Sequence, residues 1–291
     1  MILVVGLSPA WQRTLVFERV VAGKVNRAQR VTETASGKGV NVARVIGQLG
    51  GEARLLTVAG GERGKLLVES LRAKQIPATA ARVAAETRIC QTLLSTAPTT
   101  ELVEEAGKLT RTEVAAVLAK FEREVGRARL VALTGTVPAG CGEDFYARLT
   151  RIAVKRGLTV LVDAQRAQLV NAVAEGPFAV KINRDELRAA DLSVRDLHRQ
   201  GVKWAIITHG AEAVEVSCPE GRTTLRPPRV KALNPVGSGD AVLAGMAVGI
   251  ERGWPVVDAV RLGVACGTAN ALTPEPGCVR LADVKRFSTR A

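Results

Sequence analysis

Short runs of consecutive apolar residues alternate along the chain with stretches whose apolar positions recur at helical spacing. Residues 2–5 read as a first strand. Residues 40–49 follow as a helix, with Val42, Ala43, Ile46 and Leu49 on one face and a stop at Gly50-Gly51. Residues 53–58 read as a strand and the region near residues 65–74 as a helix. Thr110-Arg111-Thr112-Glu113 has capping-box spacing, and Val114, Val117, Leu118, Phe121 and Val125 form the helical stripe behind it. Further strands are expected at 130–133, 158–162, 178–182 and 203–208, with a helix at 143–156 between the first two. The strand runs are almost unbroken in apolar character, which suits a parallel sheet covered on both faces. Segments 214–217 and 223–226 read as a hairpin through Pro219-Glu220-Gly221.

Two stretches break the rhythm. Residues 14–34 and 87–100 are rich in β-branched and polar residues and lack helical periodicity. They read as short antiparallel strands forming a small sheet inserted into the core. The expected organisation is therefore an α/β core from residues 1–13, 35–86 and 101–291, carrying a small β lid from 14–34 and 87–100. No internal repeat is present, and the tail from residue 279 onward carries no clear motif.

Composition narrows the class. The 291 residues are 47% hydrophobic, enough for one large α/β domain, while an aromatic share of 3% leaves Val, Leu, Ile and Ala to build the interior. The first seven residues lack a basic leader and a cleavage site, so they read as a strand and not as a signal peptide. The longest apolar run, 241–250, is far below the roughly 20 residues of a membrane span. Five scattered cysteines, none in a Cys-x-x-Cys pair, argue against a disulfide scaffold or zinc site and fit a reducing cytoplasm. His198 and His209 are the only histidines, too few for a histidine-rich metal site. The net charge of +13 invites a nucleic-acid reading. The arginines are spread out and no nucleic-acid motif accompanies them, so the charge is read as a surface that attracts phosphorylated metabolites.

The chemistry concentrates in three segments. In Asn234-Pro235-Val236-Gly237-Ser238-Gly239-Asp240 the glycines permit a tight turn, and the apolar run behind them reads as a buried helix. Amides at such a helix start suit an anion, and Asp240 adds a carboxylate able to take a hydroxyl proton. The plainer reading is a loop whose Asp caps the helix. No Gly-Lys-Ser/Thr follows, so it is not a Walker A loop, and the dinucleotide fingerprint is absent. Ser36-Gly37-Lys38-Gly39-Val40-Asn41 places Lys38 and Asn41 at a second helix start, where they face either a polyhydroxylated or phosphorylated ligand or plain solvent. Lys181-Ile182-Asn183-Arg184-Asp185-Glu186 closes a strand, as do Asp163 and Thr208-His209-Gly210. Asn183 and Glu186 are spaced both for oxygens near magnesium and for a helix cap.

Taken together and in this order, these segments resemble the PfkB (ribokinase-like) carbohydrate kinases over nearly the whole chain. The likeness is closest to the branch with 1-phosphofructokinase and tagatose-6-phosphate kinase, through Val25-Asn26-Arg27, Thr99-Thr100-Glu101-Leu102-Val103-Glu104 and the segment ending at Asp240. The resemblance implies a ribokinase-like three-layer α/β/α core with a small β-sheet lid. It also implies ATP with Mg2+ as donor, with a monovalent cation as a further cofactor to test. It makes Asp240 the base and Gly237, Ser238 and Gly239 the anion hole. Asn183 and Glu186 would lie near the triphosphate, Glu186 approaching the metal through water. Thr208, Gly210 and Asn270 would lie along the nucleotide. Gln12, Lys24, Gly37, Lys38, Asn41, Arg88 and Thr136 would face the sugar or sugar phosphate.

Three positions depart from the family pattern. Gln12 stands where a carboxylate usually binds sugar hydroxyls, Ser36 stands where glycine is common, and Ala213 ends a Thr-x-Gly-x-x-Gly pattern. The expected activity is transfer of the ATP γ-phosphate to a phosphorylated ketohexose in the cytoplasm, without nucleic-acid or membrane partners. Exposed lid edges suggest a homodimer through the lid. The alternatives are a kinase of another sugar or a nucleoside, and a non-catalytic sugar-phosphate sensor.

Overall fold

The computed structural model describes residues 1–289. Within them the chain runs β1 (Ile2–Val5), β2 (Ala10–Val16), β3 (Arg30–Ser36), α1 (Lys38–Gln48), β4 (Ala53–Ala59), α2 (Gly61–Ala73), β5 (Ala78–Arg82), β6 (Arg88–Leu94), β7 (Thr100–Val103) and α3 (Arg111–Val125). It continues β8 (Leu130–Thr134), α4 (Phe145–Lys155), β9 (Thr159–Asp163), α5 (Arg166–Val173), β10 (Ala179–Asn183), α6 (Arg184–Ala189), α7 (Val194–Arg199) and β11 (Trp204–Thr208). It ends β12 (Val214–Cys218), β13 (Gly221–Leu225), α8 (Ser238–Glu251), α9 (Val256–Asn270) and α10 (Leu281–Ser288).

The large sheet has the order β13-β12-β11-β10-β9-β8-β1-β4-β5. Its strands are parallel except where β12 and β13 add an antiparallel hairpin at one edge. Alternation along each strand sends side chains into two cores. Ile2, Val4, Leu130 and Ala132 pack beneath α1, α8 and α9. Leu3, Val5, Val131 and Leu133 pack beneath α3, α4 and α5. Because both faces are covered, the strands are apolar throughout, and the three-layer α/β/α expectation holds. The capping box at α3 is formed as its spacing indicates, with Thr110 and Glu113 reciprocally bonded.

The second sheet has the order β3-β2-β6-β7 and extends beyond the segments marked from sequence, starting at Ala10 and ending at Val103. Its outer pairs are antiparallel as expected, but its central pair, β2 with β6, is parallel. Both strands follow strands of the large parallel sheet and leave it from the same end, so they run side by side in one direction. Four helices, α5, α7, α9 and α10, and the strand β5 lay outside the sequence reading. α9 is apolar on nearly every side and carries no amphipathic stripe, and α10 lies in the tail that showed no motif. Among the described residues no helix is long and apolar enough to cross a membrane.

Candidate active site

The carboxyl ends of the parallel strands meet the N-termini of α1 and α8, the crevice where open α/β sheets bind ligands. β9 ends in Asp163, and β10 carries Lys181 beside it. Both side chains are almost fully buried, and Lys181 Nζ donates to Asp163 Oδ2 at 2.9 Å. From the start of α1, Lys38 Nζ reaches Asp163 Oδ1 at 3.5 Å and lies 3.9 Å from Glu186 Oε1. The cluster opens to solvent at Lys38, whose side chain is 34% exposed.

At α8 the chain turns through Gly237 in the left-handed region (φ 82), which glycine adopts without the Cβ penalty. The turn is held from below by two asparagines. Asn234 Oδ1 accepts from the Val236 amide at 3.1 Å. Asn270 Nδ2 donates to Val236 O at 2.9 Å and to Ser238 Oγ at 3.1 Å. Ser238 N–H is taken by Pro235 O at 3.2 Å, whereas the amides of Gly239 and Asp240 have no protein partner among the described residues. The Gly237 amide likewise has no protein partner among the described residues, so Gly237 and Gly239 of the expected set keep free donors, Ser238 does not, and Asp240 adds one. A Cβ on Gly239 would lie 3.2 Å from Lys181 Nζ, so a buried ammonium backs the same helix start. Three free amides and two lysines at one helix end suit an anion.

Asp240 is 6% exposed. Its Oδ2 accepts from Asn41 Nδ2 at 2.8 Å, and Asn41 Oδ1 accepts in turn from Ser36 Oγ at 3.1 Å. Burial is the main cause that pushes its carboxyl up to about 6. Lys38, the Asn41 hydrogen bond and Lys181 pull the other way, and Asp163 adds to the rise. Asp163 pays the same desolvation, yet Lys181 and Lys38 outweigh it and hold its carboxyl below the usual range. Asp163 in turn holds Lys38 above the ordinary lysine range against burial, with Asp240 and Glu186 adding to it. Two neighbouring carboxylates are thus driven apart, one held below the ordinary carboxylate range and one raised to about 6.

The remaining residues marked from sequence divide. Lys38, Asn41 and Asp240 converge directly, with Gly37 (φ 103) making the turn into α1. Thr136 is exposed just beyond β8, next to Gly135, whose Cβ would meet Lys38. Asn183 and Glu186 form a reciprocal capping box at α6 that engages Asn183 Oδ1 and Glu186 Oε2 and leaves Glu186 Oε1 turned toward Lys38. Thr208 lies opposite Asn183 in the β10–β11 register, and exposed Gly210 follows in the left-handed region. Gln12 lies on β2 and is 97% buried by its 3% exposure. Arg88 spends two nitrogens on main chain, donating to Ser8 O at 3.1 Å and Glu104 O at 3.0 Å.

Two residues stand apart from this convergence. Lys24 lies on the exposed β2–β3 connection, and its ammonium has no partner among the described residues. Asn270 is fully buried. Its NH2 is taken by Val236 and Ser238 and its carbonyl by the Cys278 amide, so its side chain builds the turn and cannot border a nucleotide. Sequence reasoning gave no role to Lys181 or Arg44. Each carried a readable signal, since a charge inside an apolar strand or on the buried face of a helix must be partnered. Arg44 bonds Pro276 O at 2.8 Å and Ala35 O.

The fold has counterparts in solved structures. A candidate phosphofructokinase from Staphylococcus aureus is 27% identical, with a TM-score of 0.83, covering 100% of this chain and 97% of that one. Escherichia coli phosphofructokinase-2 in complex with fructose 6-phosphate is 23% identical, with a TM-score of 0.87, covering 99% and 98%. Thermotoga maritima ribokinase is 20% identical, with a TM-score of 0.78, covering 99% of both chains. The model of the pfkB family of carbohydrate kinases matches residues 1–278, and the chain belongs to that family.

Proposed function

We propose that this sugar kinase transfers the γ-phosphate of ATP to a hydroxyl of a phosphorylated ketohexose, with Asp240 as base. The observation that carries the reading is one carboxylate, its pKa raised to about 6, beside three unpartnered amides at the start of α8. Asp240 Oδ2 is held by Asn41, which leaves Oδ1 to take the proton of the acceptor hydroxyl. As that oxygen bonds to the γ-phosphorus, the bond to the bridging oxygen breaks and ADP departs. The Gly237, Gly239 and Asp240 amides and Lys181 favour the charge on the transferring group. Lys38 and Arg88 are the cations proposed for the acceptor's phosphate. Thr208 and Gly210 are proposed to border the nucleotide.

Glu186 Oε1, a hard oxygen left out of the capping box, fits a magnesium ion bound chiefly through water and donor phosphates. Among the described residues no group of three or more His, Cys, Asp or Glu is placed to cage a metal, which agrees with an ion carried in by ATP. Magnesium, when bound, neutralises the donor phosphates. A monovalent cation is the second cofactor proposed, tested by turnover in potassium against lithium salts. The small sheet is proposed to close over the acceptor, and its exposed Val31, Leu102 and Val103 support a homodimer through it, read by light scattering.

The acceptor is decided by ATP turnover with fructose 1-phosphate, fructose 6-phosphate, tagatose 6-phosphate, unphosphorylated sugars and nucleosides. A phosphorylated ketohexose should give the highest kcat/KM. Preference for an unphosphorylated sugar or a nucleoside would replace the acceptor, and binding without turnover would make the protein a sensor. A second variant probes the base from behind. Gly277→Ala would bring a Cβ within 2.4 Å of the Asn41 Cβ at a residue with φ 64. Asn41 must then shift from Asp240, and kcat should fall by roughly tenfold or more. The acid limb of the pH–rate profile should move to higher pH, because the Asn41 bond favours the ionised carboxylate. An unmoved limb would remove Asn41 from the description of the base.

A further inference from the structure

Gln12 stands on β2 where a carboxylate was expected, and its surroundings suit an amide. The pairing registers put Ala10 opposite Ser36 and Gln12 opposite Thr34 on β3, with Gln12 beside Cys90 on β6. Side chains two residues apart share a face, so Gln12, Ser36, Arg88 and Thr92 all lie on one side of the small sheet. That side leads to the base, because Ser36 bonds Asn41 and Asn41 bonds Asp240.

Gln12 Nε2 donates to Thr92 Oγ1 at 2.8 Å and to the main-chain carbonyl of Arg13 at 3.3 Å. A carbonyl can only accept, so the NH2 end must face it and the oxygen must face the opposite way. That oxygen has no protein donor among the described residues, and it is not among the polar atoms sealed from solvent without a partner. Gln12 is thus a side chain only 3% exposed whose remaining accessible acceptor is unfilled. A carboxylate in its place would turn an oxygen with no proton against Arg13 O, an unfavourable contact.

We propose that Thr92 is a positioning residue that locks the Gln12 amide with its carbonyl toward the cleft, so that this kinase reads an acceptor hydroxyl with a neutral oxygen. This rests on the sugar-kinase reading above and deepens it. The acceptor class is a polyol phosphate whose hydroxyl donates to Gln12, while its charge is met elsewhere by the cations. Losing the Thr92 partner leaves the amide held only by its longer, 3.3 Å bond to Arg13 O, so it turns more readily to present NH2 to the hydroxyl, and the loss should fall on acceptor affinity alone.

The test compares wild type, Thr92→Ser, Thr92→Val, Gln12→Ala, Gln12→Glu and Thr92→Val in the Gln12→Ala background. It reads kcat and KM for fructose 1-phosphate, fructose 6-phosphate, tagatose 6-phosphate and ATP, with calorimetric binding of the three sugar phosphates. Thr92→Val should raise the acceptor KM by about 3–10-fold, with the ATP KM and kcat changed by less than about twofold, the scale of one neutral hydrogen bond. Thr92→Ser should restore the wild-type value. Thr92→Val should add nothing once Gln12 is alanine, and Gln12→Glu should weaken acceptor binding. An unchanged acceptor KM in Thr92→Val, an equal effect in the alanine background, or a matching rise in the ATP KM would each overturn the proposal. If wild type binds a sugar phosphate without turnover, the kinase reading fails while the calorimetry still decides the Thr92–Gln12 coupling. If no sugar phosphate binds, this proposal falls too.

Discussion

Asp240→Asn is expected to lower kcat by about 10²–10⁴-fold, the usual contribution of a positioned base, and at the same time to stabilise the protein above pH 6. The first effect follows from the loss of the only carboxylate at the α8 start able to accept the hydroxyl proton. The second follows from burial. In the folded state the carboxyl is pushed up to about 6, whereas unfolded it returns to its ordinary value of 3.8. Between those values the folded chain still holds a proton that the unfolded chain has released, so stability falls as pH rises through this window. Above pH 6 the full cost is present, about 3 kcal/mol from a shift of roughly two units. Asparagine keeps an oxygen for Asn41 and carries no charge. Urea unfolding at pH 8 should therefore find the variant more stable, with the gap closing toward pH 4. Wild-type kcat should fall on the acid side with a midpoint near pH 6. A variant that keeps turnover, or a wild type equally active at pH 5 and pH 8, would remove Asp240 from the reaction.

That opposition of activity and stability explains which parts of the molecule could be read from sequence. The parallel strands were legible because burial on both faces leaves no polar position in them, and the α3 cap was legible because its bonds are local. α9 was not, since it packs on α8 through small residues and lacks a polar face. A Cβ on Gly245 would stand 2.6 Å from Gly263 Cα, a fit that only the assembled pair reveals. The parallel β2–β6 pairing joins strands far apart in sequence, and no local signal encodes it. In the site, the glycine turn and Asp240 were visible as a motif. The support was not, because Asn234, Asn270 and Arg44 act through contacts spanning up to 232 positions. Asn270 was misread for that reason. A polar residue near a cleft looks like a ligand contact until its partners are seen.

Asp163→Ala is expected to destabilise the protein by about 3–5 kcal/mol, the scale for removing one member of a buried ion pair. Asp163 is 1% exposed and Lys181 5%, so the lysine left behind is poorly hydrated and unpaired, while Lys38 also loses its nearest carboxylate. The dependence on pH runs opposite to that of Asp240. Lys181 and Lys38 hold the Asp163 carboxyl below its ordinary value despite burial. Its contribution is therefore complete above the unfolded value near 3.8 and is lost as pH falls through the lower folded one. Wild type should outlast the variant in urea from pH 8 down to about pH 4, with the difference closing only below that. Replacing both partners, Asp163→Leu with Lys181→Met, should recover much of the loss, since paired apolar substitutes leave no orphaned charge. Turnover should stay low in the double variant. Lys181 Nζ stands against Gly239, and no apolar side chain there can meet a transferring phosphoryl group. Stability recovered without activity would separate the two tasks of this ion pair. Activity recovered along with stability would mean that the lysine serves the fold alone.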